Sequence, residues 1–198
     1  RGPHHPMTVH AALNLAGHHM NYKTTEADSA EYYFQKAIEF SAPGFNPKNE
    51  YENPENGNVI DYNFYIKALT GKAERRKLKY REKGNRKDLE YALSTMLLAF
   101  EASKKHMQKE HFSAAYGDWS EKVSNVARQA FRMCIYMDSV LPGQGYLEQA
   151  FNFVEESRHF TALAGLGINH LNHVGKVPPH LIKKQQEANQ RFSSKRYE

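Results

Sequence analysis

Few residues in this chain have the type and spacing that catalysis requires. Cys134 is the one cysteine, and its neighbours from Phe131 to Met137 are mostly apolar. A cysteine nucleophile needs a nearby base and an accessible, electropositive environment. Because the local sequence supplies neither, we expect Cys134 to be an unreactive core residue.

One glutamate and one histidine have the spacing that carboxylate-bridged di-iron bundles use. Glu156 and His159 lie three residues apart, and His170 and His173 repeat that interval. A di-iron bundle needs two Glu-x-x-His pairs and two further glutamates. The second pair is missing, so we predict no metal and no other cofactor. A metal-bearing helical bundle around Glu156 and His159 is kept as a third, lesser interpretation.

The strongest charge feature is a basic segment at positions 72–87. If the segment is helical, Lys72, Arg76, Lys79 and Lys83 share one stripe because they lie three or four residues apart. Such a stripe can contact nucleic-acid phosphates or an acidic segment of a protein. It is also typical of the solvated back of a helix whose other face is apolar. We expect an exposed stripe, and we predict that these four residues contact a protein partner.

Aromatic side chains are abundant, at 12% of the chain. Tyr33 lies in an aromatic cluster at positions 32–34, and Tyr80 lies inside the basic segment. Aromatic residues dominate the energetics of many protein interfaces. We therefore predict Tyr33 and Tyr80 as partner-binding anchors, while most other aromatic residues pack in the core.

Apolar residues recur at intervals of three and four throughout the chain, which is the period of a helix. The pattern predicts about eight helices, an irregular insertion at 43–58 and no strand. Asp28 and Glu31 have the spacing of a capping box, and Gly84 favours a helix end. The main predicted helices cover 7–22, 28–41, 61–83, 87–106, 119–139, 146–173 and 180–196.

One spacing, small-x3-large-x2-small, occurs three times. Small residues on both sides of a large one allow a second helix to approach closely, which is how stacked helix pairs are built. The fold class that this predicts is all-α, with antiparallel helix pairs stacked on one another. The three occurrences are Ala30/Phe34/Ala37, Ala92/Met96/Ala99 and Ala150/Val154/Ser157.

Composition bounds the remaining possibilities. The 198 residues suit one domain at 7–198, with positions 1–6 as a tag or linker remnant. The single cysteine suggests a reducing compartment, and no apolar run is long enough to cross a membrane, so we expect a cytoplasmic protein with no membrane partner. The net charge of +5 permits an acidic partner without requiring one.

Two of these units and a third segment resemble a known repeat. The residues that carry the resemblance are Leu13 to Ala16 with Ala30, Phe34 and Ala37; Leu69 to Ala73 with Gly84, Leu89, Ala92, Leu93 and Ala99; and Tyr146 to Phe151 with Glu156 to Arg158 and Leu163. They resemble tetratricopeptide repeats, in particular the repeat regions that precede caspase-like CHAT domains in bacterial proteins. Val177 to Pro179, followed by Leu181, resembles the linker helix of such proteins, at about 180–196.

This resemblance implies a short right-handed solenoid that binds proteins. An adjacent protease-like domain is then a possible partner, and that domain would carry the catalytic His and Cys in a separate unit. We therefore predict that this chain is not an enzyme but a protein–protein interaction scaffold that recruits or regulates a partner or a neighbouring domain. The alternative is a nucleic-acid-binding helical domain that uses the basic segment at 72–87.

Overall fold

The architecture is all-α over the residues that a computed structural model of the chain describes, which are 2–21, 27–54, 58–109 and 116–173, together with 184. Within these ranges there is no strand, so the predicted fold class is confirmed at this level. The predicted terminal helix at 180–196 lies outside the described residues except for position 184. The helices are α1 (Pro6–Asn21), α2 (Ala27–Ser41), α3 (Tyr62–Lys83), α4 (Arg86–Lys109), α5 (Tyr116–Val140) and α6 (Tyr146–His173).

The ends of α3 follow from local capping chemistry. Asp61 is the N-cap, and its Oδ1 accepts the backbone N–H groups of Asn63 at 2.8 Å and Phe64 at 3.2 Å. At the other end, Gly84 adopts a φ of +70° and donates its N–H to the carbonyl of Tyr80. Glycine takes this left-handed conformation without strain, and the predicted helix end at Gly84 is confirmed.

The predicted capping box at the start of α2 is wrong. The helix already includes Ala27, so Asp28 lies inside its first turn. Glu31 does not fold back to the helix start, because its carboxylate forms ion pairs with Arg76 and Lys79 of α3. The carboxylate of Glu31 therefore takes part in tertiary ion pairs and not in the local capping that its spacing predicts.

Each helix packs on the next one along the chain, and α1 also contacts α3. The small-large-small spacing falls on the even-numbered helices α2, α4 and α6. Its alanines lie in the core, as predicted: Ala30, Ala37, Ala92 and Ala99 are all fully buried. The small-large-small spacing therefore recurs once in each pair of helices.

A close approach of α2 to α3 depends on one glycine. A Cβ built on Gly71 would lie 2.2 Å from Cε1 of Phe34, far inside van der Waals contact. The ring of Phe34 occupies the space that a side chain on Gly71 would need. The large residue of the first small-large-small unit thus packs directly against the backbone of α3.

The segment between α2 and α3 is irregular, as predicted, but it is tied to the helices. Ile60 donates its backbone N–H to the carbonyl of Ser41 at 3.0 Å, and Phe45 and Val59 pack against the core. Residues 55–57 lie outside the described part. None of the helices in the described ranges has the length and apolar character needed to span a bilayer.

Candidate functional site

The predicted basic stripe of α3 is not a solvent-exposed surface, and that expectation is wrong. Lys72 is 1% exposed and Arg76 is 0% exposed. Lys79 is mostly buried, and only Lys83, at the helix end, is exposed. The reason is that the stripe continues the buried face that begins at Leu69.

Arg76 is the centre of a buried ionic network. Its Nη1 lies 2.5 Å from Oδ1 of Asp88, and its Nη2 pairs with Glu31 and lies 3.0 Å from Oε2 of Glu50. Lys79 lies 3.4 Å from Glu31 and 3.5 Å from Glu50. We call these five side chains the Arg76 network. It joins α2, the irregular segment, α3 and the start of α4.

The network stabilises the charged form of Arg76, which burial alone would disfavour. Burial lowers the pKa of Arg76, but the hydrogen bond to Asp88 and the charges of Glu31 and Glu50 outweigh it, so the pKa is raised. Burial raises the pKa of the Glu50 carboxyl, but Arg76 and Lys79 more than reverse this, so its pKa is lowered. The guanidinium also lies 4.4 Å from the ring centroid of Tyr51.

Tyr91 and its neighbours fasten the irregular segment to α4. The hydroxyl of Tyr91 donates to the carbonyl of Glu52 at 2.8 Å, and Asn53 Nδ2 donates to Oγ1 of Thr95 at 2.9 Å. Tyr51 donates its hydroxyl to Asp88 Oδ1 at 3.2 Å. These bonds hold positions 51–53 against α4.

Lys72 has a different environment from Arg76. Its Nζ donates to Oε1 of Gln35 and, at 2.7 Å, to the hydroxyl of Tyr91, and no carboxylate lies within 4 Å of it among the described residues. Burial, and then the charge of Arg76, lower the pKa of Lys72 to about 8.

On the opposite side of α3, the odd-numbered helices form a groove of about 440 Å³. Its apolar floor is set by Phe34, which reaches through from α2 past Gly71. The rim is polar and includes three exposed side chains, Asn14, Lys67 and Gln129. We call this feature the odd-helix groove. It is lined by His10, Leu13, Asn14, Met20, Phe34, Phe64, Lys67, Thr70, Gly71, Glu74 and Gln129.

The charges at the groove rim are unequal. Glu74 pairs with Lys77 at 2.6 Å, so its charge is largely balanced within α3. Lys67 is exposed and has no carboxylate partner among the described residues. The groove therefore presents one uncompensated cation beside an apolar floor.

Neither predicted aromatic anchor lines this groove. Tyr33 is half-buried, and its ring stacks on His19 of α1 with centroids 5.5 Å apart. Tyr80 packs against the core, with its ring edge-on to Tyr136 of α5 at 6.4 Å. Both side chains join helices of the chain itself, and Phe34 and Phe64 are the aromatic residues at the groove.

The other residues that the sequence offers for catalysis or metal binding do not lie together in the described part of the chain. Cys134 is fully buried, as expected, and burial raises its pKa to about 11. Glu156 pairs with Lys104 at 2.5 Å. Within the described part, no three His, Cys, Asp or Glu residues lie close enough together to hold a metal. The side chains of His170 and His173 lie outside that part.

Sequence reasoning missed the partners of Arg76. Glu50 lies in a segment that the sequence marks only as irregular, and Asp88 follows a turn. One signal was present: Tyr65, Leu69, Lys72 and Arg76 follow a four-three-four spacing, so the basic residues extend an apolar stripe. Comparison with protein-family models, with curated proteins and with solved structures finds no match to this chain.

Proposed function

We propose that this chain is a protein-interaction module that holds an extended peptide segment in the odd-helix groove. The observation that carries the proposal is the composition of the groove, an apolar floor under a polar rim, built by α1, α3 and α5 together with Phe34 of α2. Interfaces combine a buried apolar centre with a polar rim in the same way.

The helix-pair repeat supports this proposal. The even helices carry the small residues that allow close packing, so the odd helices are available to form a continuous inner surface. A tetratricopeptide-like solenoid would arrange its helices in this manner. If the resemblance to CHAT-associated repeats holds, the peptide belongs to a neighbouring protease-like domain or to a protein recruited for it.

The charge of the rim defines the expected peptide. Lys67 has no carboxylate partner among the residues that the structure describes, so we expect an acidic side chain of the peptide opposite it, while an apolar side chain of the peptide rests on Phe34 and Leu13. Asn14 and Gln129 offer amide groups that can bond to a peptide backbone.

The positions of the basic residues give little support to the alternative function, nucleic-acid binding. Arg76 and Lys79 face carboxylates of the chain itself, and Lys72 is buried. Four cations of the basic segment at 72–87 remain exposed and lie next to the connection between α3 and α4. They are Arg81, Lys83, Arg86 and Lys87.

The proposal is tested by selecting peptides from a random library on the immobilised chain and measuring their affinity by titration calorimetry. We expect the selected peptides to share an acidic and an apolar position. Lys67→Glu should weaken their binding by about tenfold, the effect of losing one interfacial charge pair and adding repulsion.

Lys105→Glu is the matched control, because Lys105 is exposed on α4 and does not line the groove. Equal affinity of the wild type and Lys67→Glu, or equal losses in the two variants, would contradict the groove as the binding site. Competition by single-stranded nucleic acid would favour the alternative.

A further inference from the structure

A second cavity, of about 350 Å³, lies between α2, the irregular segment and the end of α3. We call it the Lys72 cavity, because Lys72 forms its inner end while Asp28, Tyr32 and Lys83 are exposed at its mouth. Its lining is Asp28, Glu31, Tyr32, Gln35, Glu50, Lys72, Lys79 and Lys83. A buried amine is thus reachable from solvent by a small molecule.

One hydrogen-bond donor in the lining of this cavity lacks an acceptor. Nε2 of Gln35 is buried without a hydrogen-bond partner in the described part of the chain. The Gln35 amide already contacts Lys72 through its oxygen. Leaving a buried donor unpaired is costly, so its presence beside the amine points to an acceptor that is missing from the protein itself.

Burial and the charge of Arg76 favour the neutral form of the amine. Three carboxylates oppose this, Glu31 and Glu39 on α2 and Glu50 on the irregular segment, and the hydroxyl of Tyr91 on α4 accepts a hydrogen bond from Lys72. Each of the three is already paired with another cation: Glu31 and Glu50 with Arg76 and Lys79, and Glu39 with Lys36. With a pKa of about 8, a substantial share of Lys72 is unprotonated under mildly alkaline conditions.

We propose that Lys72 is a carbamylation site that binds carbon dioxide covalently. The buried amine, the small cavity and the unpaired donor of Gln35 are the observations that carry this assignment. The proposal is independent of the peptide groove, which lies on the other face of α3.

The reaction needs no reactant other than carbon dioxide. The lone pair of the Lys72 nitrogen attacks the carbon, a C–N bond forms, and one C–O π bond becomes a carboxylate. The nitrogen releases one proton to solvent, so amine and carbon dioxide give carbamate and a proton. After rotation of its side-chain amide, Gln35 donates to the new carboxylate through Nε2.

The test uses the full chain with ¹³C-labelled carbon dioxide near pH 8. Carbamates are trapped by alkylation with a trialkyloxonium salt, and the modified residue is identified by peptide mass spectrometry. The α-amine of the chain, a group with an ordinary pKa of about 8, serves as the reference. We expect Lys72 to be labelled more fully than this reference, because Gln35 supplies a donor for the product.

Two variants sharpen the result. Gln35→Leu removes one donor and should lower the labelling of Lys72 about tenfold, the effect of losing one hydrogen bond to a charged group. Lys105→Met changes an exposed lysine that does not line this cavity and should leave the labelling unchanged. Circular dichroism confirms that each variant is folded.

Labelling of the α-amine without labelling of Lys72 in the wild type would overturn the proposal, and this result does not depend on any variant. Unchanged labelling in Gln35→Leu would also overturn it, since the unpaired donor would then have no role. At a fixed concentration of dissolved carbon dioxide, labelling should fall as the pH is lowered below 8, because the amine becomes protonated.

Discussion

Arg76 shows how a charged residue becomes part of a core. Its guanidinium reaches carboxylates from three different parts of the chain, Glu31, Glu50 and Asp88. Replacing a buried ion pair by apolar residues is often neutral, but removing one partner leaves the others uncompensated. The stability that depends on Arg76 is therefore largely the cost of stranding these carboxylates.

We predict that Arg76→Met lowers the free energy of unfolding by about 3–5 kcal/mol, because buried carboxylates lose their partner. Urea unfolding followed by circular dichroism measures the change. Arg86→Met is the control, since Arg86 is exposed and pairs with Glu90 on the surface, and it should cost less than about 1 kcal/mol. Equal effects of the two substitutions would contradict the buried network.

Lys72 predicts a pH dependence of stability with a definite sign. Its pKa falls from an ordinary 10.5 to about 8 in the folded chain, because of burial and the charge of Arg76. Between these two pH values the unfolded chain binds more protons than the folded one. The free energy of unfolding therefore rises with pH in this window, by at most about 1.4 kcal/mol per pH unit from this group.

The measurement compares urea unfolding of the wild type and Lys72→Met from pH 8 to 10. Burial raises the pKa of Tyr91, so its hydroxyl keeps its proton in this window. The pKa of Arg76 is raised and the pKa of Glu50 is lowered, so their charges do not change there. The wild type should gain stability relative to the variant. Lys67→Met, which removes an exposed lysine, should follow the wild type, and a parallel course of all three chains would refute the assignment.

At the scale of the helices, contact between α2 and α3 depends on Gly71 lacking a side chain. We predict that Gly71→Ala destabilises the chain by about 1–3 kcal/mol, the usual cost of overpacking, because the new Cβ would overlap the ring of Phe34. Gly17→Ala is the matched control. Gly17 also lies within a helix, but nothing lies within 4 Å of the position that a Cβ would take there, so alanine should stabilise α1 by about 0.5–1 kcal/mol.

A double variant identifies the cause of the Gly71 effect. If the overlap with Phe34 is responsible, Gly71→Ala should cost much less in a Phe34→Leu background, where the far end of the ring is absent. Thermal unfolding of the four chains of this cycle gives the coupling between the two positions. Additive effects would show that the cost arises elsewhere in the helix.

The helices and their packing motif could be predicted from the sequence because both are local. The three- and four-residue periodicity locates α3 and α4 within a few residues, and the buried positions of Ala92 and Ala99 follow from spacing alone. The surroundings of Arg76 and Lys72 could not be assigned in this way. Burial of these two residues depends on side chains that the fold brings from distant positions, whereas residue type alone favours solvent for lysine and arginine.

The groove was unpredictable for a related reason. Asn14, Lys67 and Gln129 lie on three helices, and no pattern within any one helix marks them as neighbours. Tyr33 and Tyr80 are predicted as anchors because one lies in an aromatic cluster and the other in the basic segment. Neither observation indicates which side of its helix the ring occupies. Tyr33 contacts His19 of α1, and Tyr80 contacts Tyr136 of α5. Both rings therefore pack between helices of the chain, as large side chains usually do.

At the scale of the whole molecule, α3 separates two kinds of surface. With 3.6 residues per turn, positions 67, 70, 71 and 74 fall on one side of the helix, and positions 72, 76 and 79 fall on the other. The first set lines the odd-helix groove, and the second set forms the Arg76 network or the Lys72 cavity. Ligand binding and folding stability should therefore respond to different lysines of the same helix.

We predict opposite outcomes for two matched charge reversals on α3. Lys79→Glu places a carboxylate against Glu31 and Glu50 and should lower the free energy of unfolding by about 1–3 kcal/mol, while peptide affinity stays unchanged in the folded chain. Lys67→Glu should leave stability within about 0.5 kcal/mol of the wild type, as exposed substitutions usually do, and should lose peptide affinity. Urea unfolding and calorimetric titration on both variants give the four values. Loss of affinity in Lys79→Glu, measured without urea at a temperature where it is fully folded, would mean that the two faces of α3 are coupled or that the peptide binds across the basic face.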